Sequence, residues 1–327
     1  MSVTRRIDMH THFLTTALAD ALRRRDELPQ IVERNGREFL AYAPGVAYPL
    51  VPDMIDLDEK LARIDDAGLD FAILSVNIPG VDYFPVNEAP ALAREVNDEL
   101  LDCVARHPDR LAAFATLPLQ APEAAATELE RAVGVGLKGA MTYANVAGRP
   151  LDEPDFRVVF DAAAELDVPV LLHPTRPIYS QNIQVHMLVP VVGFLFETTV
   201  ATLRLIYAGL YDRHPDLKVI LAHTGSLVPH LAGRIDYEGG RLGAGTGLEI
   251  PPLQALRRLY TDTISAWGPA LRSAIDFLGP EQVLLGTDAP FWEADRTYGP
   301  LEELGLAPEV AEAINWRNSA RLFELPA

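Results

Sequence analysis

The chain has 327 residues, of which 49% are hydrophobic and 23% are charged. This balance is typical of a globular protein with a large core, and it excludes a disordered or fibrous chain. The 46 acidic and 28 basic residues give a net charge of −18, which argues against nucleic acid and membranes as partners. A single cysteine, Cys103, excludes an internal disulfide framework. The N-terminal residues lack the apolar core of a signal peptide, so we expect a soluble, cytoplasmic protein.

Short apolar runs of strand length alternate with longer stretches of helical periodicity. The predicted strands span residues 6–10, 70–76, 111–117, 137–142, 168–173, 217–223, 259–263 and 282–288. The predicted helices span residues 58–67, 89–107, 122–133, 154–166, 195–211, 228–241, 269–278 and 308–325. Repeated strand–helix units predict a parallel sheet, and eight of them predict a closed (β/α)8 TIM barrel of the α/β class. A doubly wound open sheet is the alternative, but no glycine-rich phosphate loop follows the first strand.

A longer segment, residues 15–53, separates the first strand from the first barrel helix. It contains Pro29, Pro44, Pro49 and Pro52, which are unusual in a continuous helix or a central strand. We interpret it as a lid or small subdomain over the barrel mouth. The whole chain, residues 1–327, is expected to form a single barrel domain that contains this insertion.

Candidate metal ligands follow four of the predicted strands. His10 and His12 end the first strand, His173 the fifth, His223 the sixth and Asp288 the eighth. Catalytic groups of such barrels lie at the carboxyl ends of the strands, and side chains two residues apart on a strand face the same side. Imidazole and carboxylate groups together suit a first-row divalent ion. One histidine after a strand is more often structural, so the prediction of a metal site depends on the joint occurrence.

These residues resemble the motifs of the amidohydrolase superfamily. The resemblance is closest to the branch with aminocarboxymuconate-semialdehyde decarboxylase and the decarboxylases of salicylate- and resorcylate-like acids. It covers essentially the whole chain, through IDMHTHF at 7–13, VLLHP at 170–174, LAHTG at 221–225, LAGRID at 231–236, LGTDAPF at 285–291 and NSARLF at 318–323.

The resemblance implies one Zn²⁺ or Mn²⁺ ion, held by residues matching His10, His12, His173 and Asp288. It implies that His223 is a catalytic acid or base beside the ion and not a ligand. It also implies a homodimer, in which Arg234 lies near the partner's active site. Lys138 lies at the start of the fourth strand, the wrong end for a lysine that bridges two metal ions, which favours a single ion.

One departure from the family concerns the substrate. Relatives that act on a dicarboxylate semialdehyde have an arginine ahead of the first barrel helix, whereas residues 43–58 here contain no Arg or Lys and include Tyr48. A substrate with one carboxylate, such as an ortho-hydroxybenzoate, needs fewer cations. We predict Arg176 as its carboxylate clamp and His186 and Trp292 as further substrate contacts, with Arg234 from the partner. His230 is interpreted as a structural helix residue.

The predicted function is metal-dependent, non-oxidative decarboxylation of a small aromatic or unsaturated carboxylic acid, of the ortho-hydroxybenzoate or muconate type. The ion would act as a Lewis acid on a substrate oxygen, and His223, Asp288 or a metal-bound water would supply the proton. The alternative is a metal-dependent hydrolase of a lactone, amide or related carbonyl compound, because the same site can activate water.

Overall fold

Eight parallel strands form the centre of the protein in a computed structural model that describes residues 5–76, 78–243 and 247–325. We number them β1 (Ile7–Phe13), β2 (Phe71–Val76), β3 (Leu111–Ala113, continued by Ala115–Thr116), β4 (Ala140–Tyr143), β5 (Val170–His173), β6 (Val219–Leu221), β7 (Tyr260–Asp262) and β8 (Val283–Leu284). All eight lie within or next to the predicted runs. Every residue of β1, β2, β4 and β5 is buried, because side chains fill the inside of the sheet and helices cover the outside.

The strands close into a barrel. Each of β1 to β7 pairs in parallel with the next strand along the chain, and Phe114 separates the part of β3 that pairs with β2 from the part that pairs with β4. The ring closes between β8 and β1, where the Met9 amide donates to the Leu285 carbonyl at 2.9 Å and Thr11 bridges to Ala289. The predicted (β/α)8 barrel is therefore confirmed, and the open sheet is excluded.

Helices follow the strands and cover the barrel. Their bounds are Leu57–Asp66, Ala89–Arg106, Pro122–Gly134, Arg157–Glu165, Phe194–Tyr207, Val228–Leu242, Gly268–Leu278 and, at the end of the chain, Pro308–Glu312 with Asn318–Leu322. The predicted helices are confirmed to within a few residues. The sequence prediction missed Asp295–Glu303, because Gly299 and Pro300 lie inside it and both disfavour a helix.

One apolar segment has the length of a membrane span. By length and composition alone, Val189–Tyr207 could cross a membrane, but 56% of the candidate window is buried inside the protein. A buried helix that packs on a barrel passes the same test. The segment is therefore weak evidence for a membrane protein.

The insertion after β1 has regular structure. The helix Thr16–Arg23 leads into an antiparallel sheet of Gln30–Arg34, Arg37–Ala43 and Val46–Pro49. Asn35 and Gly36 both have positive φ, at 54° and 72°, as a tight hairpin turn between two strands requires. The Tyr42 hydroxyl lies 3.0 Å from the Thr175 hydroxyl, which ties this sheet to the segment after β5. The role of the insertion as a lid stays a prediction.

Candidate metal centre

The four predicted ligands meet at the carboxyl end of the barrel. Nε2 of His10 lies 3.2 Å from Nε2 of His12, and the latter lies 3.0 Å from Oδ1 of Asp288. Nε2 of His10 is 3.7 Å from the same oxygen. The ring of His173 completes the group, with its centroid 4.9 Å from that of His12 and 5.1 Å from that of His10. All four side chains are buried, so they face one another and not the solvent.

Two of the imidazoles have their outer nitrogen fixed by an acceptor. Nδ1 of His10 lies 2.8 Å from a carboxylate oxygen of Asp262, and Nδ1 of His173 lies 2.7 Å from the backbone carbonyl of Pro174. An ionised carboxylate and a carbonyl can only accept a hydrogen bond. Nδ1 therefore carries the hydrogen in both rings, and Nε2 is left with its lone pair.

The third imidazole, His12, has the same tautomer for a less direct reason. Its Nδ1 lies 3.1 Å from the hydroxyl oxygen of Ser75, and that hydroxyl donates to the Thr11 carbonyl at 3.0 Å. A serine hydroxyl has one hydrogen, so at His12 its oxygen accepts from Nδ1–H. Partners of this kind fix ring orientation and tautomer around metal ions in proteins.

Three lone pairs are thus directed at one point. Nε2 of His10 and Nε2 of His12 cannot hydrogen-bond to each other, although they are 3.2 Å apart, and Nε2 of His173 is buried without a hydrogen-bond partner. A cation placed between these nitrogens and the carboxylate of Asp288 would attract all four groups and would replace the contact of 3.0 Å between Nε2 of His12 and Oδ1 of Asp288. The residues present therefore fit a divalent ion with nitrogen and oxygen ligands.

The pKa shifts of three of the four ligands agree with this assignment. Burial by itself lowers the pKa of His10, but the hydrogen bond and charge of Asp262 outweigh it and the net shift is upward, so a bound cation would have to displace that proton. Burial lowers the pKa of His12 to about 4 and holds the pKa of His173 well below its usual value. Burial by itself raises the pKa of Asp288, but the contacts with His12 and His223 outweigh it and hold this pKa well below its usual value. Neutral imidazole and ionised carboxylate are the forms that bind metal ions.

The end of β8 is shaped to bring Asp288 to the site. A Cβ at Gly286 would lie 3.0 Å from the Cβ of His10, tighter than most such contacts, so a side chain here would push the two strands apart. The carboxylate of Asp8 accepts from the Thr287 amide at 3.0 Å and from its hydroxyl at 2.6 Å. The Asp288 amide donates to the His10 carbonyl at 2.7 Å, and Asp288 itself has a positive φ of 58°. The β1–β8 seam therefore fixes ligands from both strands.

His223 lies next to the same cluster. Its Nε2 is 3.4 Å from Oδ2 of Asp288, and its Nδ1 is buried without a hydrogen-bond partner. The ligand-type atoms of His10, His173, His223 and Asp288 all lie within 4.8 Å of one another. The structure thus brings His223 to the metal site at close range. Its predicted role as an acid or base and not a ligand stays a prediction.

Asp262, the last residue of β7, is a site residue that the sequence analysis missed. Its carboxylate is fully buried and accepts from Nδ1 of His10, from the amides of His223 and Thr224 at 2.9 Å each, and from the Ile264 amide at 3.1 Å. Burial raises its pKa, but the hydrogen bond from His10 and the backbone amides outweigh this, so the net shift is downward. The position rule that selected the other strand ends applies to β7 as well and would have found it.

A cavity of about 560 Å³ opens beside these groups. Its wall includes His12, His173, His223 and Asp288, together with Phe291 and the predicted contact Trp292. Tyr48 reaches it from the insertion. His230, interpreted above as structural, also lines the cavity and is exposed, so it is not a core histidine. It lies in the first turn of the helix after β6, and such first turns surround the mouth of a barrel.

The other predicted substrate contacts lie elsewhere. Arg176 does not line the cavity, and its Nε donates to the Ser180 hydroxyl at 3.3 Å. His186 is exposed in the segment after β5, and Arg234 is exposed on the helix Val228–Leu242. Of the four predicted contacts, the structure brings only Trp292 to the cavity within this chain. The roles of the other three stay predictions.

Comparison with known proteins assigns the family. An amidohydrolase family model matches residues 7–325. The gamma-resorcylate decarboxylase of Rhizobium radiobacter is 34% identical over 291 residues, which cover 82% of this chain and 87% of that protein. The solved 5-carboxyvanillate decarboxylase of Sphingomonas paucimobilis has a TM-score of 0.88 at 27% identity and covers 99% of this chain and 100% of its own. The dihydroxybenzoic acid decarboxylase of Polaromonas sp. JS666, solved with manganese and 2-nitroresorcinol, has a TM-score of 0.83 at 28% identity, with coverage of 98% and 97%. As the sequence predicted, the chain belongs to the amidohydrolase family, in its decarboxylase branch.

Proposed function

We propose that this protein is a metal-dependent, non-oxidative decarboxylase of aromatic carboxylic acids, with hydroxybenzoate-type acids as substrates. The observation that carries the proposal is the convergence of three Nε2 lone pairs and Asp288 on one point, with His223 beside it at the wall of a cavity. The decarboxylase activities of the similar proteins support it.

Decarboxylation breaks the bond between the ring carbon and the carboxylate carbon. The electron pair of that bond stays on the ring carbon, which takes up a proton, and CO2 leaves. When bound, a divalent ion would act as a Lewis acid on a substrate oxygen. His223 would hold the proton on Nε2, facing Asp288 at 3.4 Å, and deliver it to the ring carbon. Asp288 takes part twice, because Oδ1 faces the ligand histidines and Oδ2 orients His223.

The ion of this proposal is Mn²⁺ or Zn²⁺, held by His10, His12, His173 and Asp288. Three imidazoles and one carboxylate suit either metal. The manganese in the Polaromonas relative makes Mn²⁺ the first to test. Metal analysis of the purified protein, followed by removal of the ion with a chelator and reloading with each metal, would identify the one that restores activity.

The experiment that tests the function is a panel of ortho-hydroxybenzoates assayed for CO2 release, run beside a panel of lactones and amides. Substitution His223→Ala is expected to abolish CO2 release while the metal content stays equal to that of the wild type. His214→Ala is the matched control, since His214 pairs with Asp161 on the surface and both properties should persist. Loss of metal in the His223 variant would contradict the acid–base role, and hydrolysis of a lactone without any CO2 release would favour the hydrolase.

We also propose that the protein is a cytoplasmic homodimer in which Arg234 serves the partner's active site. Within the described parts of the chain, no Arg or Lys lines the cavity, although a carboxylate entering it needs a counter-charge. Large apolar side chains are exposed on elements that line the cavity, including Val191 (66%), Tyr237 (69%) and Trp267 (65%). Exposed apolar groups of this size often mark an interface between subunits.

Two inactive variants test this arrangement together. Light scattering after size-exclusion chromatography gives the oligomeric state. If Arg234 acts across the interface, mixing Arg234→Ala with His223→Ala subunits restores activity, because each mixed dimer then contains one intact site. A monomer in solution, or mixed subunits that stay inactive after proven exchange, would contradict the shared site.

A further inference from the structure

The cavity is larger than a dihydroxybenzoate needs. Its volume of about 560 Å³ falls within the range of roughly 300–1,000 Å³ that encloses drug-sized ligands. The ligand histidines, His223 and Asp288 occupy one part of its wall. A dihydroxybenzoate placed with its carboxylate at that part would leave much of the remaining space filled only by water.

Most of the wall away from the ligands is apolar, although Ser226, Ser265 and His230 also line the cavity. Phe194 and Leu195 form it on the side of β5, and Leu227 and Ile264 continue it past β6 and β7. Phe194, Leu195 and Leu227 are only half-buried, so an apolar group bound there would remove part of their surface from water. Ala270, in the first turn of the helix Gly268–Leu278, is a small residue in this wall and leaves room beside it.

The charges in the cavity suit only one carboxylate. An ion held by the four ligands would balance the charge of one carboxylate, and the dimer proposal adds the partner's Arg234 for the same group. No Arg or Lys of the described residues lines the apolar wall. A second carboxylate there would lose its hydration and could gain only hydrogen bonds from His230, Ser226 or Ser265 in place of a permanent positive charge, which is unfavourable.

We infer that the substrate is an aromatic monocarboxylate with an apolar substituent or a second fused ring, which packs against this apolar wall. The inference rests on the proposed function, because it names the substrate class of the same site. An enzyme with this preference differs from a decarboxylase of dihydroxybenzoates without an apolar substituent and from a decarboxylase of aromatic dicarboxylates.

Four probes that share an ortho-hydroxycarboxylate test the inference on the manganese-loaded protein. They are 2-hydroxybenzoate, 1-hydroxy-2-naphthoate, 3-hydroxy-2-naphthoate and the dicarboxylate 4-hydroxyisophthalate; the two naphthoates present the second ring at different edges. One buried methylene changes kcat/KM by roughly 10–200-fold. We therefore expect at least one naphthoate to exceed 2-hydroxybenzoate by about tenfold or more in kcat/KM, and the dicarboxylate to fall below it.

A variant that fills the wall tests where the second ring binds. Ala270→Phe should lower the ratio of kcat/KM for the preferred naphthoate to that for 2-hydroxybenzoate by about tenfold or more. Ala307→Phe is the matched control, because Ala307 is exposed before the C-terminal helix and does not line the cavity. If the Ala270 variant does not fold, the probe series on the wild type decides alone.

Binding separates a failure of this inference from a failure of the proposed function. If no probe releases CO2, the function is wrong, but calorimetric Kd values of the same probes still test the substrate class. A naphthoate that binds about tenfold tighter than 2-hydroxybenzoate supports it. Equal kcat/KM or Kd across the monocarboxylates, or a preference for the dicarboxylate, overturns it.

Discussion

Substitution Asp262→Asn should weaken metal binding and destabilise the protein at the same time. Oδ2 of Asp262 accepts from Nδ1 of His10 and from the His223 amide, and Oδ1 accepts from the amides of Thr224 and Ile264. An asparagine keeps only one acceptor oxygen, so in either orientation two of these four donors face an NH2 group. Each buried donor left without an acceptor costs about 1–3 kcal/mol, so the free energy of unfolding should fall by about 2–6 kcal/mol. Loss of such a partner of a metal ligand typically costs about 10–100-fold in metal affinity.

The assay is a Mn²⁺ titration of the metal-free protein by calorimetry, with urea unfolding of the same samples. Asp161→Asn is the matched control, because Asp161 also accepts from a histidine, His214, at 2.6 Å but lies half-exposed on the surface. It should leave the Mn²⁺ affinity unchanged. If Asp262→Asn binds Mn²⁺ within twofold of the wild type, the assignment of Asp262 as the residue that orients His10 is refuted.

Two further predictions concern His173 and Lys60. Removal of the unpartnered Nε2 in His173→Ala should abolish stoichiometric Mn²⁺ binding, measured as metal content after gel filtration, and retained metal would contradict its role as a ligand. Burial lowers the pKa of Lys60 from 10.5 to about 8. Between these pH values the unfolded chain therefore binds more protons than the folded protein does. The free energy of unfolding rises with pH across that window, by about 3 kcal/mol in all. Urea unfolding at pH 7.5 and 9.5 measures this rise, which Lys60→Met should remove. Lys218→Met, at a more exposed lysine, is the control and should keep the rise. The same rise in Lys60→Met as in the wild type would contradict the pKa shift.

The barrel and its ligands could be predicted because both depend on local patterns. Strands covered on both faces give continuous apolar runs, and their carboxyl ends share one edge, so His10, His12, His173 and Asp288 could be placed together without coordinates. The same logic applies to Asp262, the last residue of β7, which the sequence analysis did not select.

The substrate contacts could not be predicted, since they depend on how the chain leaves each strand. Arg176 follows His173 by three residues, yet its guanidinium donates to the Ser180 hydroxyl and does not line the cavity. Nothing in the spacing of these residues specifies that contact. The sheet of the insertion is a different case, because Asn35-Gly36 between two runs of alternating residues is a hairpin signal that the four prolines obscured.

The structure separates the chemistry of the site from the choice of substrate. Asp262 fixes the ring of His10 and also the backbone turn of His223 and Thr224, whose φ values of 60° and 56° are unusual for non-glycine residues. Asp288 likewise faces the ligand histidines with one oxygen and His223 with the other. A change at either carboxylate should therefore alter metal affinity and proton transfer together. Ala270 has no part in these hydrogen bonds, so a change there should alter which acid is bound while the metal affinity stays the same. A metal titration combined with a substrate panel on the same variants distinguishes the two kinds of residue.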